Sequence, residues 1–144
     1  MAPITFTPEE GKAALESAYL AARDDNWDGA GSKRVEHSTY GYAQQFLQFI
    51  PNNMALPDIV ADPDGEILFE WDYGPRQVFS VSIGRDGMLS YAGLFDRNKV
   101  HGRVPFVGAL PSDILQYFGH FLSERGSQMR PALVKCGDRI PPPL

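Results

Sequence analysis

The chain has 144 residues, a formal net charge of -5, 43% hydrophobic and 22% charged residues, which suits one ordinary domain burying ~70% of its unfolded surface. A single cysteine, Cys136, excludes an internal disulfide, and no Cys/His set has zinc-site spacing, so the reading is of a protein without metal or cofactor in a reducing, cytoplasmic setting. The acidic balance weakens general attraction to phosphate backbones, Met1–Phe6 lacks the basic and apolar regions of a secretory signal, and no apolar run approaches the ~18 residues of a membrane span.

The first predicted helix covers about residues 8 to 24. Thr7, Pro8 and Glu10 supply an N-cap, a first-turn proline and the far end of a capping box, and Leu15, Tyr19 and Ala22 recur at helical spacing. Asp24-Asp25-Asn26 and then Gly29 and Gly31 end the pattern. The stretch Asn26-Trp27-Asp28-Gly29-Ala30-Gly31-Ser32 is the most unusual in the chain. A second helix is predicted over 37 to 50, with Tyr42, Phe46 and Phe49 on one face and Pro51 ending it.

Four short strands follow, at about 58 to 62, 66 to 73, 77 to 83 and 88 to 95, separated by Asp62-Pro63-Asp64-Gly65, Gly74-Pro75 and Arg85-Asp86-Gly87. Ile67, Phe69 and Trp71 alternate with Glu70 and Asp72, and Phe79, Val81 and Ile83 alternate with Ser80 and Ser82. Such alternation means one buried and one wet face, and short connections favour antiparallel pairing in sequence order. A third helix is predicted over 112 to 125, carrying Ile114, Leu115, Phe118, Phe121 and Leu122. The fold expected is therefore α+β, in the order α-α-β-β-β-β-α, a four-stranded antiparallel meander with helices on one face. The domain runs from 1 to 126, and 127 to 144 forms a proline-containing C-terminal tail.

No Walker loop, Rossmann fingerprint or Gly-x-Ser-x-Gly elbow is present, and His37, His101 and His120 are widely separated. The acidic run from Asp58 to Asp72 reads as solvated face and turn chemistry rather than a cation site, since Asp is favoured in turns and the spacing departs from the EF-hand. Arg76, Arg85, Arg97, Lys99 and Arg103 form a later basic segment. Its charges are expected to pair with Glu66 and Glu70 on adjacent strands, or alternatively to grip an acidic partner or nucleic acid.

Trp27 has two readings: a plug between helices and sheet with Asp28 capping a turn, or an exposed aromatic anchor of the kind that dominates interfaces. Trp71 belongs to the inward set, whereas Tyr73 lies at a turn. Asn26-Trp27-Asp28-Gly29, with Asp64-Gly65-Glu66, Glu70-Trp71, Ser82-Ile83-Gly84 and Tyr91, resembles small bacterial and phage proteins that have no assigned function, over roughly residues 20 to 106. That resemblance implies a bacterial or phage origin and a shared fold. The function expected is a non-catalytic module binding another protein, of antitoxin, immunity or inhibitor type, with Trp27, Asp28, Tyr73, Arg97 and Arg103 as partner anchors and a homodimer through a sheet edge as a further option. The alternatives are a small metal-dependent or acid/base hydrolase and a nucleic-acid-binding accessory protein.

Overall fold

The computed structural model describes residues 7–129. The chain divides into two compact units, one ending at Ala109 and the other beginning at Leu110. The first unit contains helices α1 (Pro8–Ala21) and α2 (His37–Gln48) and strands β1 (Asp58–Ala61), β2 (Ile67–Asp72), β3 (Gln77–Ile83), β4 (Met88–Phe95) and β5 (Asn98–Pro105). All neighbours pair antiparallel in the order β1-β2-β3-β4-β5, a meander in chain order. The second unit contributes α3 (Ser112–Met129), on which Ile114, Phe118 and Phe121 share one face and Leu115 points outward. This helix outruns the predicted end near 125, so the expected tail begins inside it; Cys136 and the last prolines lie outside the described residues.

α1 begins as its sequence dictates. The Thr7 amide donates to Glu10 Oε1 (2.9 Å) and the Glu10 amide to Thr7 Oγ1 (3.2 Å), a complete capping box. The helix stops three residues before its predicted end because the Ala22 carbonyl accepts from the Val35 amide (2.8 Å), which folds the following loop back upon it.

One face of the sheet is the core. Ile59, Ile67, Phe69, Trp71, Phe79, Val81, Ile83, Leu89, Tyr91 and Phe95 are buried along it. α1 packs on β1 and α2, and α2 on β2 and β3. Phe46 of α2 meets Phe69 edge-on (5.0 Å between centroids), and Trp71, Phe79 and Phe95 continue the aromatic series across β2, β3 and β4. Each such ring removed from water contributes ~1.5–3 kcal/mol, so this face supplies the main driving force for folding.

The fifth strand corrects the expected four. Its apolar signal is thin, because Val100 and Val104 flank a glycine while Lys99, His101 and Arg103 alternate to the other side and Pro105 closes it. Gly102 faces Tyr91, whose ring and hydroxyl occupy the space a side chain would need. A charged edge strand ending in proline is also what protects a sheet from further pairing. The predicted Glu66 and Glu70 ion pairs do not form among the described residues. Glu66 instead accepts from Ser82 Oγ (2.6 Å), and the basic residues pair as Arg76–Asp96 (3.9 Å) and Arg103–Asp86 (3.8 Å).

Candidate functional site

The antiparallel order decides which loops can meet. The β1–β2 and β3–β4 turns lie at one end of the sheet, and the β2–β3 and β4–β5 turns at the other. The predicted anchors are therefore divided. Trp27, Asp28 and Arg103 belong to the first end, whereas Tyr73 and Arg97 belong to the second.

At the first end the 25–36 loop is held by its own polar atoms. The Asn26 amide donates to the Ser32 carbonyl (2.7 Å), and Asn26 Oδ1 accepts from the Gly31 amide (2.7 Å). Asp28 Oδ1 accepts from the amides of Ala30 (2.9 Å) and Ser32 (3.2 Å), and the Asp28 amide donates to Ser32 Oγ. The Ser32 hydroxyl first, and then the Ala30 amide, hold the Asp28 carboxyl below its ordinary value. Trp27 is half-buried, and its Nε1–H donates to the Lys33 carbonyl (2.9 Å). The ring is neither fully sealed nor fully exposed, and it braces the loop from which it projects.

Two turns complete this end. In the β1–β2 turn the Asp64 amide donates to Asp62 Oδ1 (2.7 Å), the local bond that favours Asp in turns. The Lys33 amide donates to the Pro63 carbonyl (2.8 Å), tying loop to turn. Gly65 has φ +87, and a Cβ there would stand 2.7 Å from the Arg34 carbonyl oxygen, so only glycine fits. In the β3–β4 turn Ser38 Oγ donates to the Arg85 carbonyl (3.2 Å), and the Tyr42 ring lies against Gly87. α2 therefore positions Arg85.

Between these loops lies an open cleft of about 310 Å³. Lys33, Arg34, Arg85 and Arg103 line it together with Asp25, Glu36, Asp64, Glu66 and Asp86. Most of these charges are engaged. Arg34 pairs with Glu36 (3.4 Å), Arg103 with Asp86 (3.8 Å), Asp25 accepts from the Arg34 amide (3.1 Å), and Glu66 holds Ser82. Lys33 and Arg85, from two different loops, have no ion pair among the described residues. Asp25, Asp64 and Glu66 likewise have no ion pair among the described residues, so the recess is polar and of mixed charge, five carboxylates to four cations, with Lys33 and Arg85 as its unpaired cations.

At the opposite end the Tyr73 hydroxyl accepts from the Ala55 amide (3.2 Å), while Trp71 Nε1–H donates to the Ala55 carbonyl (3.0 Å). Tyr73 thus secures the chain entering β1. Arg97 is exposed in the two-residue β4–β5 turn. The histidines lie elsewhere: His37 Nδ1 is 3.5 Å from the Tyr19 hydroxyl, and His101 is exposed on β5 opposite Ala92. Among the described residues no three His, Cys, Asp or Glu side chains converge as a metal site, and no helix is long and apolar enough to cross a membrane.

A second hollow of about 900 Å³ lies along α1 and α2, with Leu15, Leu47 and Ile50 on its floor and Glu9, Lys12 and Glu16 on its rim. Tyr40 borders it, stacked on Tyr19 (4.2 Å), and burial together with nearby Glu16 raises its hydroxyl above the ordinary value. Sequence reasoning missed Lys33 and Arg85 as a pair. The turn signals at Asp62–Gly65 and Arg85–Gly87 were visible, and strand parity places those two turns together. The sequence matches no protein-family model, and no match appears among curated proteins or solved structures.

Proposed function

We propose that this chain is a non-catalytic protein-binding module, of antitoxin, immunity or inhibitor type and bacterial or mobile-element origin, which seats a carboxylate of its partner against Lys33 and Arg85 in the mixed-charge cleft between the 25–36 loop and the β1–β2 and β3–β4 turns. The observation that carries this reading is the pair Lys33 and Arg85, two cations without an ion pair among the described residues, presented by separately braced loops on one recess. Preorganisation matters here. A loop already ordered by Asn26, Asp28 and Ser32 loses little further freedom when a partner docks, so more of the contact energy appears as affinity. Trp27 and Asp28 serve as braces of that surface and Arg103 as part of its lining. Complementary charge at such a rim chiefly raises association rate and selects the partner.

Affinity capture from the native cell tests the reading. The unmodified chain is expected to retain one stoichiometric partner, and Lys33→Glu with Arg85→Glu to weaken that retention ~10-fold or more at unchanged thermal stability. Equal recovery of the partner by both proteins, or recovery of none by either, overturns the proposal.

A further inference from the structure

The second face of the sheet has a charge pattern of its own, which meets the cleft only at Arg103. Its side chains are half-buried to exposed, in contrast to the sealed core face. β1 and β2 place Asp58, Glu70 and Asp72 on it, and β5 places Lys99, His101 and Arg103 on it. Between them β3 and β4 offer Val78, Ser80, Ser82, Ser90, Ala92 and Leu94, which carry no charge and are mostly small. The face is therefore acidic along one side, neutral in the middle and basic along the other.

We propose that this face binds a second copy of the chain, sheet on sheet. A two-fold axis parallel to the strands and passing over β3 lays β1 and β2 of one copy over β5 and β4 of its partner. Acidic side then meets basic side twice, once in each direction, as an isologous interface requires. An in-plane axis perpendicular to the strands would instead set acid on acid and base on base, so the charge pattern itself selects the first arrangement. The small central residues allow the sheets to approach closely in aligned packing. Val60, 47% exposed at β1, gains cover in the process.

The same pattern argues against other occupants. A phosphate backbone drawn to Lys99 and Arg103 would cross into Asp58, Glu70 and Asp72. Pairing through an edge is disfavoured by the four-residue length of β1 and by Pro105 and the charges on β5. Five strands ~4.8 Å apart and ~20 Å long present ~500 Å² per copy, or ~1,000 Å² in total, near the lower limit for a specific interface. The dimer is accordingly weak, concentration-dependent and salt-sensitive.

Sedimentation velocity of the full chain over a concentration series at low and high salt is the test, and it does not depend on the cleft. Asp58→Lys alone and His101→Glu alone are each expected to weaken dimerisation ~10-fold. An equimolar mixture of the two variants restores it. Across the sheet Asp58 is level with Glu70, Ser80, Ala92 and His101, so the lysine introduced at position 58 of one copy then faces the glutamate introduced at position 101 of the other, while the unaltered Asp58 and His101 meet on the opposite side. Ala92→Arg, at an exposed central position, abolishes dimerisation by holding the sheets apart. A monomer at every concentration and low salt overturns the proposal, as does a dimer indifferent to all three substitutions, which would indicate an edge or helix contact. Failure of the mixture to recover overturns the assigned axis and with it the proposal.

Discussion

The core face of the sheet and the 25–36 loop are both well ordered, but by opposite means. On the core face, order comes from apolar area: Phe46, Phe69, Trp71 and Phe79 are all sealed from water and their rings interlock. In the loop, order comes from hydrogen bonds that bend the backbone onto Asn26, Asp28 and Ser32 while leaving Lys33 and Arg34 in solvent. Apolar packing is indifferent to direction and hides what it uses. Local polar bonding fixes a backbone shape and leaves the charged side chains outside it available. The first device makes a fold, and the second makes a surface on which charges hold fixed places. Substitutions should separate the two cleanly.

The largest effects belong to the core. Trp71→Ala or Phe79→Ala should cost ~3–5 kcal/mol, read as a lower denaturant midpoint with little change in slope. Trp71→Ala additionally leaves the Ala55 carbonyl without its donor. An intermediate effect falls where loop and turn touch. Gly65→Ala places a side chain at φ +87 and against the Arg34 carbonyl, and should cost ~1–3 kcal/mol while displacing Arg34 from the cleft. Trp27→Phe keeps most of the ring but removes the hydrogen bond to Lys33, a loss of ~0.5–1.5 kcal/mol by thermal denaturation.

The smallest stability effects are electrostatic. The lowered value of the Asp28 carboxyl means that the folded state favours its ionised form. Its contribution is fully present above the unfolded carboxylate value of about 3.9 and is lost as pH falls through the lower folded value. Asp28→Asn keeps an oxygen acceptor without the charge. Denaturant titrations should therefore show wild type above the variant at neutral pH and the gap closing in acid. A gap that widened in acid would contradict the assigned cause. Lys33→Glu and Arg85→Glu should stay within ~0.5 kcal/mol of wild type, because neither side chain has an ion pair to lose among the described residues.

Much of the core was legible in the sequence for a physical reason. A buried face imposes alternation, and Ile67-Phe69-Trp71 and Phe79-Val81-Ile83 wrote it, with Leu68 the exception in β2. The capping box at Thr7 and Glu10 was equally readable, because both of its bonds are local. β5 was not legible, since an edge strand is covered on one side only and Gly102 is chosen by the Tyr91 ring beyond it. The five predicted anchors failed to form one site because hairpin parity sends Tyr73 and Arg97 to the end opposite Trp27. Lys33 and Arg85 escaped notice for a related reason. They are 52 positions apart, and their convergence depends on Lys33 bonding to Pro63 and Ser38 bonding to Arg85, contacts that no local pattern announces.

The claim that the braced loop and its cleft form the binding surface is tested most directly by hydrogen exchange of the chain alone and with its captured partner. Slowed exchange on binding is expected at residues 25–36, 62–66 and 84–87, with the core strands unchanged because they are already protected. Protection confined to the hollow along α1 and α2, or to the turns holding Tyr73 and Arg97, with those three segments unaltered, would contradict it.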